Sequence, residues 1–220
     1  QLLLEQNMTE GKSKPPLQES GKSEGKRMAE SEYALQMSHI VKSFGGVTVL
    51  NDVDFAVKKT EIHALLGENG AGKTTLMNIL GGVIPMDSGS ISLFGEPVKI
   101  SSPNESQELG IAFIHQELNV VNDLRVYENM FLNYELRNKM RRLDVKGMCR
   151  KTAEVFERMH VEINPRAMMR DLETPYKQIV EIAKSLLRNA KLIIMDEPTT
   201  SLSQQEIDNV FSIMRSLTRE

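Results

Sequence analysis

From residue 33 onward, apolar and polar positions fall into short bursts, each ending at glycine, proline or a polar pair. "YALQMSHIVKSF" and "VLNDVDFAVKK" are rich in β-formers and separated by Gly45 and Gly46, so they predict two strands joined by a turn. "EIHALLG" predicts a short apolar strand ending at Gly67, and "KTTLMNILGGV" a helix closed by Gly81 and Gly82. "GSISLFGEPVKI" reads as a second hairpin bent at "FGEP", and a short polar helix precedes the buried strand "GIAFIHQ". From Val126 to about His160 the pattern turns helical; Met148, Val155, Phe156 and Met159 lie largely on one helical face. A further helix in "PYKQIVEIAKSLLRNA" runs directly into the strand "KLIIMDEP". Near-continuous apolar strands alternating with helices predict an α/β fold with a mostly parallel sheet covered on both faces. The helical stretch, about residues 118–184, is expected as a subdomain inserted between two sheet strands.

The first 32 residues lack this patterning. Their "NMTEGKSKPPLQESGKSEGKRMAESE" is rich in Gly, Ser, Lys, Glu and Pro. With too little apolar surface to offset ordering entropy, it predicts a disordered tail ahead of one domain over residues 33–220. Composition changes this picture little. Apolar residues make up 40% and charged residues 26%, ordinary for a globular chain, and the formal net charge is −3. No basic block with interleaved aromatics appears, which argues against nucleic acid as a partner. One cysteine, Cys149, excludes an intrachain disulfide framework and fits a reducing compartment. No apolar run approaches the roughly 20 residues needed to cross a bilayer. "QLLLEQN" is too short for a signal segment and lacks its basic flank. The chain begins with Gln, and Met8 and Met28 are candidate starts.

Candidate chemistry concentrates between the third predicted strand and its helix. Gly67, Glu68, Asn69, Gly70, Ala71, Gly72, Lys73 and Thr74 satisfy the spacing G-x-x-x-x-G-K-[ST], and Thr75 follows. That spacing serves phosphate: backbone N–H groups turn inward where side chains would block approach, and a helix N-terminus adds partial positive charge. Lys73 can reach the β- and γ-phosphates, and the Thr74 hydroxyl can ligate Mg²⁺. An ordinary glycine-rich turn is the rival reading, but a chain this long would match the pattern by accident on the order of one time in a hundred. A predicted strand before the loop and helix after it meet the mechanism's further demand, so a nucleotide with Mg²⁺ is the expected ligand. Such a site needs a carboxylate near the metal and a group to orient water. "LIIMDEP" ends an apolar strand in two acids: Asp196 to hold Mg²⁺ through its water shell, and Glu197 to polarise the attacking water. Gln116, just past "IAFIH", is an amide placed to bridge metal or water to the helical region.

Other chemistry-bearing residues have plainer readings. His63 and His115 sit in strand-like apolar runs and are expected in the core rather than on a metal. Cys149 lacks neighbours at ligand spacing and is read as structural. Met130, Met140, Met148, Met159, Met168 and Met169 are expected mostly to pack, a soft docking groove being their other use.

With these residues in hand, the chain resembles the ATP-binding subunits of ABC transporters, and most of all the monosaccharide importers of the ribose, galactose and xylose type. The matching segments are "KSFGGVTVLNDVDFAV", "HALLGENGAGKTTLMNILGGVIPMDSGSI", "IAFIHQELNVVNDLRVYENMFL" and "QIVEIAKSLLRNAKLIIMDEPTTSL". The resemblance implies a P-loop NTPase core with an antiparallel β subdomain and an inserted helical subdomain. It implies Phe44 stacking on adenine, Gln116 as the Q-loop glutamine, and residues 201–203 as the D-loop. It also implies a second ATPase half, a transmembrane permease, an external sugar-binding protein and a place on the cytoplasmic face of the membrane. Two departures stand out. Where the family's signature L-S-G-G-Q is expected, residues 172–178 read "LETPYKQ", so Glu173 replaces the serine and Pro175 a glycine. A carboxylate there repels phosphate and proline removes an N–H donor, so the expectation is an asymmetric pair whose partner half keeps an intact signature. A hydrolytically silent nucleotide-binding half is the alternative. Second, the sequence stops at "SIMRSLTRE", before an expected strand and switch histidine, as though it were the first part of a longer protein.

Overall fold

The structure, a computed structural model, describes residues 31–196 and 204–218. Two long strands come first, β1 (Tyr33–Phe44) and β2 (Val47–Lys58), antiparallel and ending in the pair Phe44 with Val47. The two residues between them, Gly45 and Gly46, sit at φ 55° and 85°. Positive φ at both centres of a two-residue loop is the geometry that matches the twist of the flanking strands. Helix α1 (Lys73–Leu80) follows, then the hairpin of β3 (Ser88–Leu93) and β4 (Glu96–Val98). These strands form one antiparallel sheet in the order β2-β1-β3-β4.

A short α2 (Pro103–Glu108), capped by the Ser102 hydroxyl, leads into β5 (Ile111–Ile114). The helices α3 (Val126–Met130), α4 (Val145–Arg158) and α5 (Thr174–Leu187) come next, then β6 (Leu192–Met195) and α6 (Gln204–Leu217). β5 and β6 pair in parallel, residue for residue from Ile111 with Leu192 to Ile114 with Met195.

Alternation along these two strands explains how the fold is built. Ile111, Phe113, Leu192 and Ile194 join a core made with α1 and the antiparallel sheet. Ile114, Ile193 and Met195 join a second core made by the helices, around Met130, Phe156, Met159, Met169 and Ile182. Successive side chains on a strand point to opposite faces, so the short parallel pair is apolar on both sides and separates two cores. The helical face expected from the sequence is real: Met148, Val155, Phe156 and Met159 are all buried. Met130 and Met169 are buried with them, whereas Met140 is exposed. Among the described residues no helix is long and apolar enough to cross a membrane.

Three expectations are corrected. Residues 61–68 form no strand and are exposed, Leu66 at 88%. A strand exists only through a ladder, and no described strand pairs with this segment. His63 is accordingly not in the core; it lies exposed, edge-on to Phe55 and 3.2 Å from Glu61. His115, one residue beyond β5, is exposed as well and stacks on Phe113. Finally, the helical stretch from Val126 to His160 is interrupted over residues 131–144, where cations and Asn138 replace the apolar stripe a packed helix needs.

Candidate phosphate-binding site

The glycine loop enters α1 without a side-chain cap. Gly72 is the N-cap at φ 91°, and Gly70 sits at φ 85°. The loop is drawn tight by a hydrogen bond from Ala71 N–H to the Glu68 carbonyl, and α1 starts with Leu76 N–H donating to the Gly72 carbonyl. A helix leaves its first N–H groups without internal partners. Among the described residues, the backbone N–H groups of Gly72, Lys73, Thr74 and Thr75 meet no carbonyl. The Lys73 ammonium folds back over the loop, donating to the carbonyls of Gly67 (2.6 Å) and Glu68 (2.9 Å). Free N–H groups, a helix N-terminus and one ammonium form a donor set that fits a polyphosphate.

The loop is seated on β2. A Cβ placed on Gly72 would come within 2.6 Å of Leu50 Cδ2 and 3.3 Å of the Val49 carbonyl. The same strand carries the turn that presents Phe44, which is 46% exposed. Phe44 is held by its neighbours. The buried Lys42 places its ammonium 5.3 Å from the ring centroid and pairs with Asp87 at 2.8 Å. Asp87 also accepts from Ser43 N–H at 2.7 Å. The hydrogen bond from Lys42, followed by that from Ser43, holds the Asp87 carboxyl below its usual range. One face of the ring thus carries the Lys42 ammonium, and Phe44 remains 46% exposed.

Gln116 and Asp196 follow the paired ends of β5 and β6. Asp196 follows β6 and donates its N–H to the Ile114 carbonyl at the end of β5. Gln116 stands two residues past that carbonyl, so both exposed side chains leave from the carboxyl ends of adjacent parallel strands. Such strand ends are where open α/β sheets bind ligands. The strand pair touches the loop's helix through Gly81, whose Cα hydrogen faces the Phe113 ring; a Cβ there would lie 3.3 Å from it. Thr74 and Asp196 offer oxygen donors, and Gln116 an amide oxygen, the hard ligands Mg²⁺ takes beside phosphate and water. Glu197 and residues 201–203 lie outside the described residues.

The departing signature is ordered. Glu173 is the N-cap of α5 but its side chain makes no capping bond, and Pro175 lies in the first turn. Proline costs the helix nothing there, since that N–H has no helical partner, yet the helix end loses a donor. Sequence reading missed Asn129, which is 1% exposed within the apolar run of α3. Its amide accepts from Val121 N–H (2.7 Å) and donates to the carbonyls of Val121 and Arg125. It fixes the loop downstream of Gln116. An Asn inside the apolar "VYENMFL" was the signal available.

A cleft of about 290 Å³ opens at the far end of α1, lined by Gly81, Phe113, His115, Glu181, Lys184 and Arg188 among others. Glu181 is buried, its Oε1 makes no hydrogen bond, and the Lys184 ammonium stands 3.7 Å away.

Comparison with known proteins decides the family. The profile of the ABC transporter family matches residues 50–200, which include the loop, Gln116 and Asp196. The chain belongs to the ABC transporter family. The ribose import ATP-binding protein RbsA of Lacticaseibacillus paracasei is 46% identical over 183 residues, covering 83% of this chain and 37% of that protein. A putative ribose/galactose/methyl galactoside import ATP-binding protein of Hahella chejuensis is 40% identical over 186 residues, covering 84% and 36%. The chain therefore spans a little over a third of the length of these curated relatives. Among solved structures, an ATP-binding cassette of an ABC transporter in its ADP conformation superposes with TM-score 0.74 at 24% identity, covering 86% of this chain and 78% of that one. The cbiO1 protein of Clostridium perfringens superposes with TM-score 0.73 at 23% identity, covering 86% and 75%. These likenesses establish the fold as that of the ABC ATPases, an α/β P-loop NTPase. Family membership carries nucleotide binding with it.

Proposed function

We propose that this chain is part of an ATPase that powers import of a monosaccharide. What supports the reading is the 46% identity with a ribose import ATP-binding protein across 83% of the chain, joined to a loop whose donors suit a nucleotide. In this reading ATP is the nucleotide, and Phe44 stacks on adenine with the ring surface Lys42 leaves open. Lys73 exchanges the Gly67 and Glu68 carbonyls for the β- and γ-phosphates, so its ammonium is already positioned over the loop. Gly67, Glu68, Asn69, Gly70, Ala71, Gly72 and Thr75 shape the rest of the phosphate cradle. Thr74, Asp196 (through water) and the Gln116 amide would hold Mg²⁺, which when bound neutralises phosphate charge. Glu197 orients and polarises the attacking water.

The same reading treats residues 1–32 as a tail and residues 33–220 as an ATPase domain with a helical subdomain at about 118–184. Its partners are a second ATPase half with an intact signature, a transmembrane permease and, indirectly, an external sugar-binding protein, with the chain on the cytoplasmic membrane face. A hydrolytically silent half is the second reading, favoured by Glu173 and Pro175 at the head of α5. Calorimetric titration with ATP and Mg²⁺ tests the binding claim. Heat of association is expected for the folded chain and its loss in Lys73→Ala; no association, or an unchanged variant, overturns it. Glu197→Gln in the longer protein separates the two readings, since only an active site loses turnover while still binding nucleotide.

A further inference from the structure

The interruption between α3 and α4 is a rigid basic turn. Within residues 136–143 stand Arg137, Lys139, Arg141 and Arg142 and no acid, in a chain whose formal net charge is −3. Asn138 staples the turn. Its side-chain oxygen accepts from Met140 N–H (2.9 Å) and Arg142 N–H (3.1 Å), while its backbone N–H donates to the Arg142 carbonyl and its carbonyl accepts from Arg141 N–H. Arg137 bridges to Leu143, and its guanidinium donates to the Arg141 carbonyl at 3.1 Å. At the base, Asp144 N–H donates to the Leu136 carbonyl and the Asp144 carboxylate caps α4 at Gly147. The turn is thereby fixed to the helical layer rather than hanging from it.

All four cations are exposed, and among the described residues none has a carboxylate partner. Between them Met140 is 72% exposed and Leu143 50% exposed. A group of cations without carboxylate partners, set around exposed apolar side chains, is complementary in charge and polarity to an anionic surface with an apolar layer beneath it. We propose that this turn docks on a membrane leaflet bearing anionic phospholipid headgroups, with Met140 and Leu143 entering the headgroup boundary. Apolar burial combined with attraction to anionic lipid is the physics of such contacts. Single-stranded nucleic acid would use stacking platforms. The turn carries no aromatic, and the nearby Tyr134, 53% exposed, has the Arg188 guanidinium over one face of its ring at 4.3 Å. The inference rests on neither the nucleotide site nor the import role.

Flotation of the purified 220-residue chain with vesicles of about 30% phosphatidylserine in phosphatidylcholine, without nucleotide, tests it. Binding is expected to those vesicles, to fall with added salt, and to be absent on pure phosphatidylcholine. Lys139→Gln/Arg141→Asn/Arg142→Gln keeps Arg137 and the Asn138 staple, and asparagine suits the φ of 59° at position 141. It should weaken vesicle binding roughly 100-fold, at about fivefold per cation removed. Met140→Gln should weaken it severalfold without changing the salt dependence, and keeps the test decisive if the triple variant melts. Equal binding to neutral vesicles, a triple variant that floats like wild type, or binding to an RNA oligonucleotide in place of vesicles would each overturn the proposal.

Discussion

Gly70 and Gly72 share a left-handed backbone but not a neighbourhood, and that contrast tests whether the phosphate loop is seated on β2. Both sit near φ 90°, at 85° and 91°. An alanine at either position pays about 1–2 kcal/mol for that conformation. Around Gly70 nothing lies within 4 Å of an added Cβ. At Gly72 the methyl would meet Leu50 Cδ2 at 2.6 Å, and Leu50 is 3% exposed, so it has no free space to swing into. Overpacking of this kind adds about 1–3 kcal/mol. Gly72→Ala should therefore lose about 2–5 kcal/mol in urea unfolding followed by circular dichroism, and Gly70→Ala only the backbone part of about 1–2 kcal/mol. Shortening the obstructing side chain provides the cross-check. In a Leu50→Val background the excess at Gly72 should shrink, giving a coupling above about 0.5 kcal/mol in the double-mutant cycle. Equal losses at the two glycines, or additive effects of Gly72→Ala and Leu50→Val, would refute the seating. In ATP titrations Gly72→Ala should bind more weakly than Gly70→Ala, because the displaced turn re-aims the N–H groups of Lys73 and Thr74.

Other expectations are more direct. Asn129→Ala leaves the Val121 N–H unpaired, while the Val121 and Arg125 carbonyls keep bonds from the Leu124 and Asn129 N–H groups, and should cost about 1–3 kcal/mol in urea unfolding; an unchanged midpoint would remove its positioning role. Phe156→Ala opens the helical core and should cost about 3–5 kcal/mol by the same measurement. The hydrogen bond to Asp52, with the charges of Asp52 and Asp54, raises the His39 pKa above its ordinary 6.5. That stabilisation is complete below the unfolded value and is lost as pH rises through the folded one, so wild type should lose stability relative to His39→Gln as pH rises above about 6.5. Glu173→Ser/Pro175→Gly, assayed with an active partner half, should raise turnover if the altered signature is what silences the second site; no change would clear those two residues.

The parts of this protein legible in its sequence are those decided by near neighbours. The loop 67–74 could be read because its glycines, lysine and threonine act within one turn of backbone. The β1–β2 turn could be read because Gly45 and Gly46 alone supply its positive φ values. Burial of Met148, Val155, Phe156 and Met159 followed from one helical period. What failed depended on partners far along the chain. Residues 61–67 have a strand's composition, but a strand also needs hydrogen-bonding neighbours, and the β5–β6 ladder pairs only with itself among the described residues. The exposure of His63 and His115 follows from the same limit, because an apolar run indicates which residues favour burial and not where its ladder stops.

This distinction bears on the site. Lys73 and its free N–H groups are a local device, so the capacity to hold phosphate belongs to the loop itself. Joining Asp196 and Gln116 into one pair is not local. Fully 80 residues separate them, and they leave from neighbouring strand ends because Ile114 and Met195 are register partners and the Ile114 carbonyl takes the Asp196 N–H. That register is set by burial on both faces, since sliding β6 by one residue would turn Ile193 and Met195 toward the strand-side core and Leu192 and Ile194 toward the helices. The proposed metal-side half of the site is thus positioned by the packing of two apolar cores around two strands of four residues each. A polar substitution at Ile193, which packs in the helical core and not in the core shared with α1, should therefore disturb the Asp196 side of the site while leaving the loop's own geometry intact. Weakened Mg²⁺ dependence of nucleotide binding, with nucleotide still bound in its absence, is the expected signature; equal loss of both would mean that the two halves are not separable.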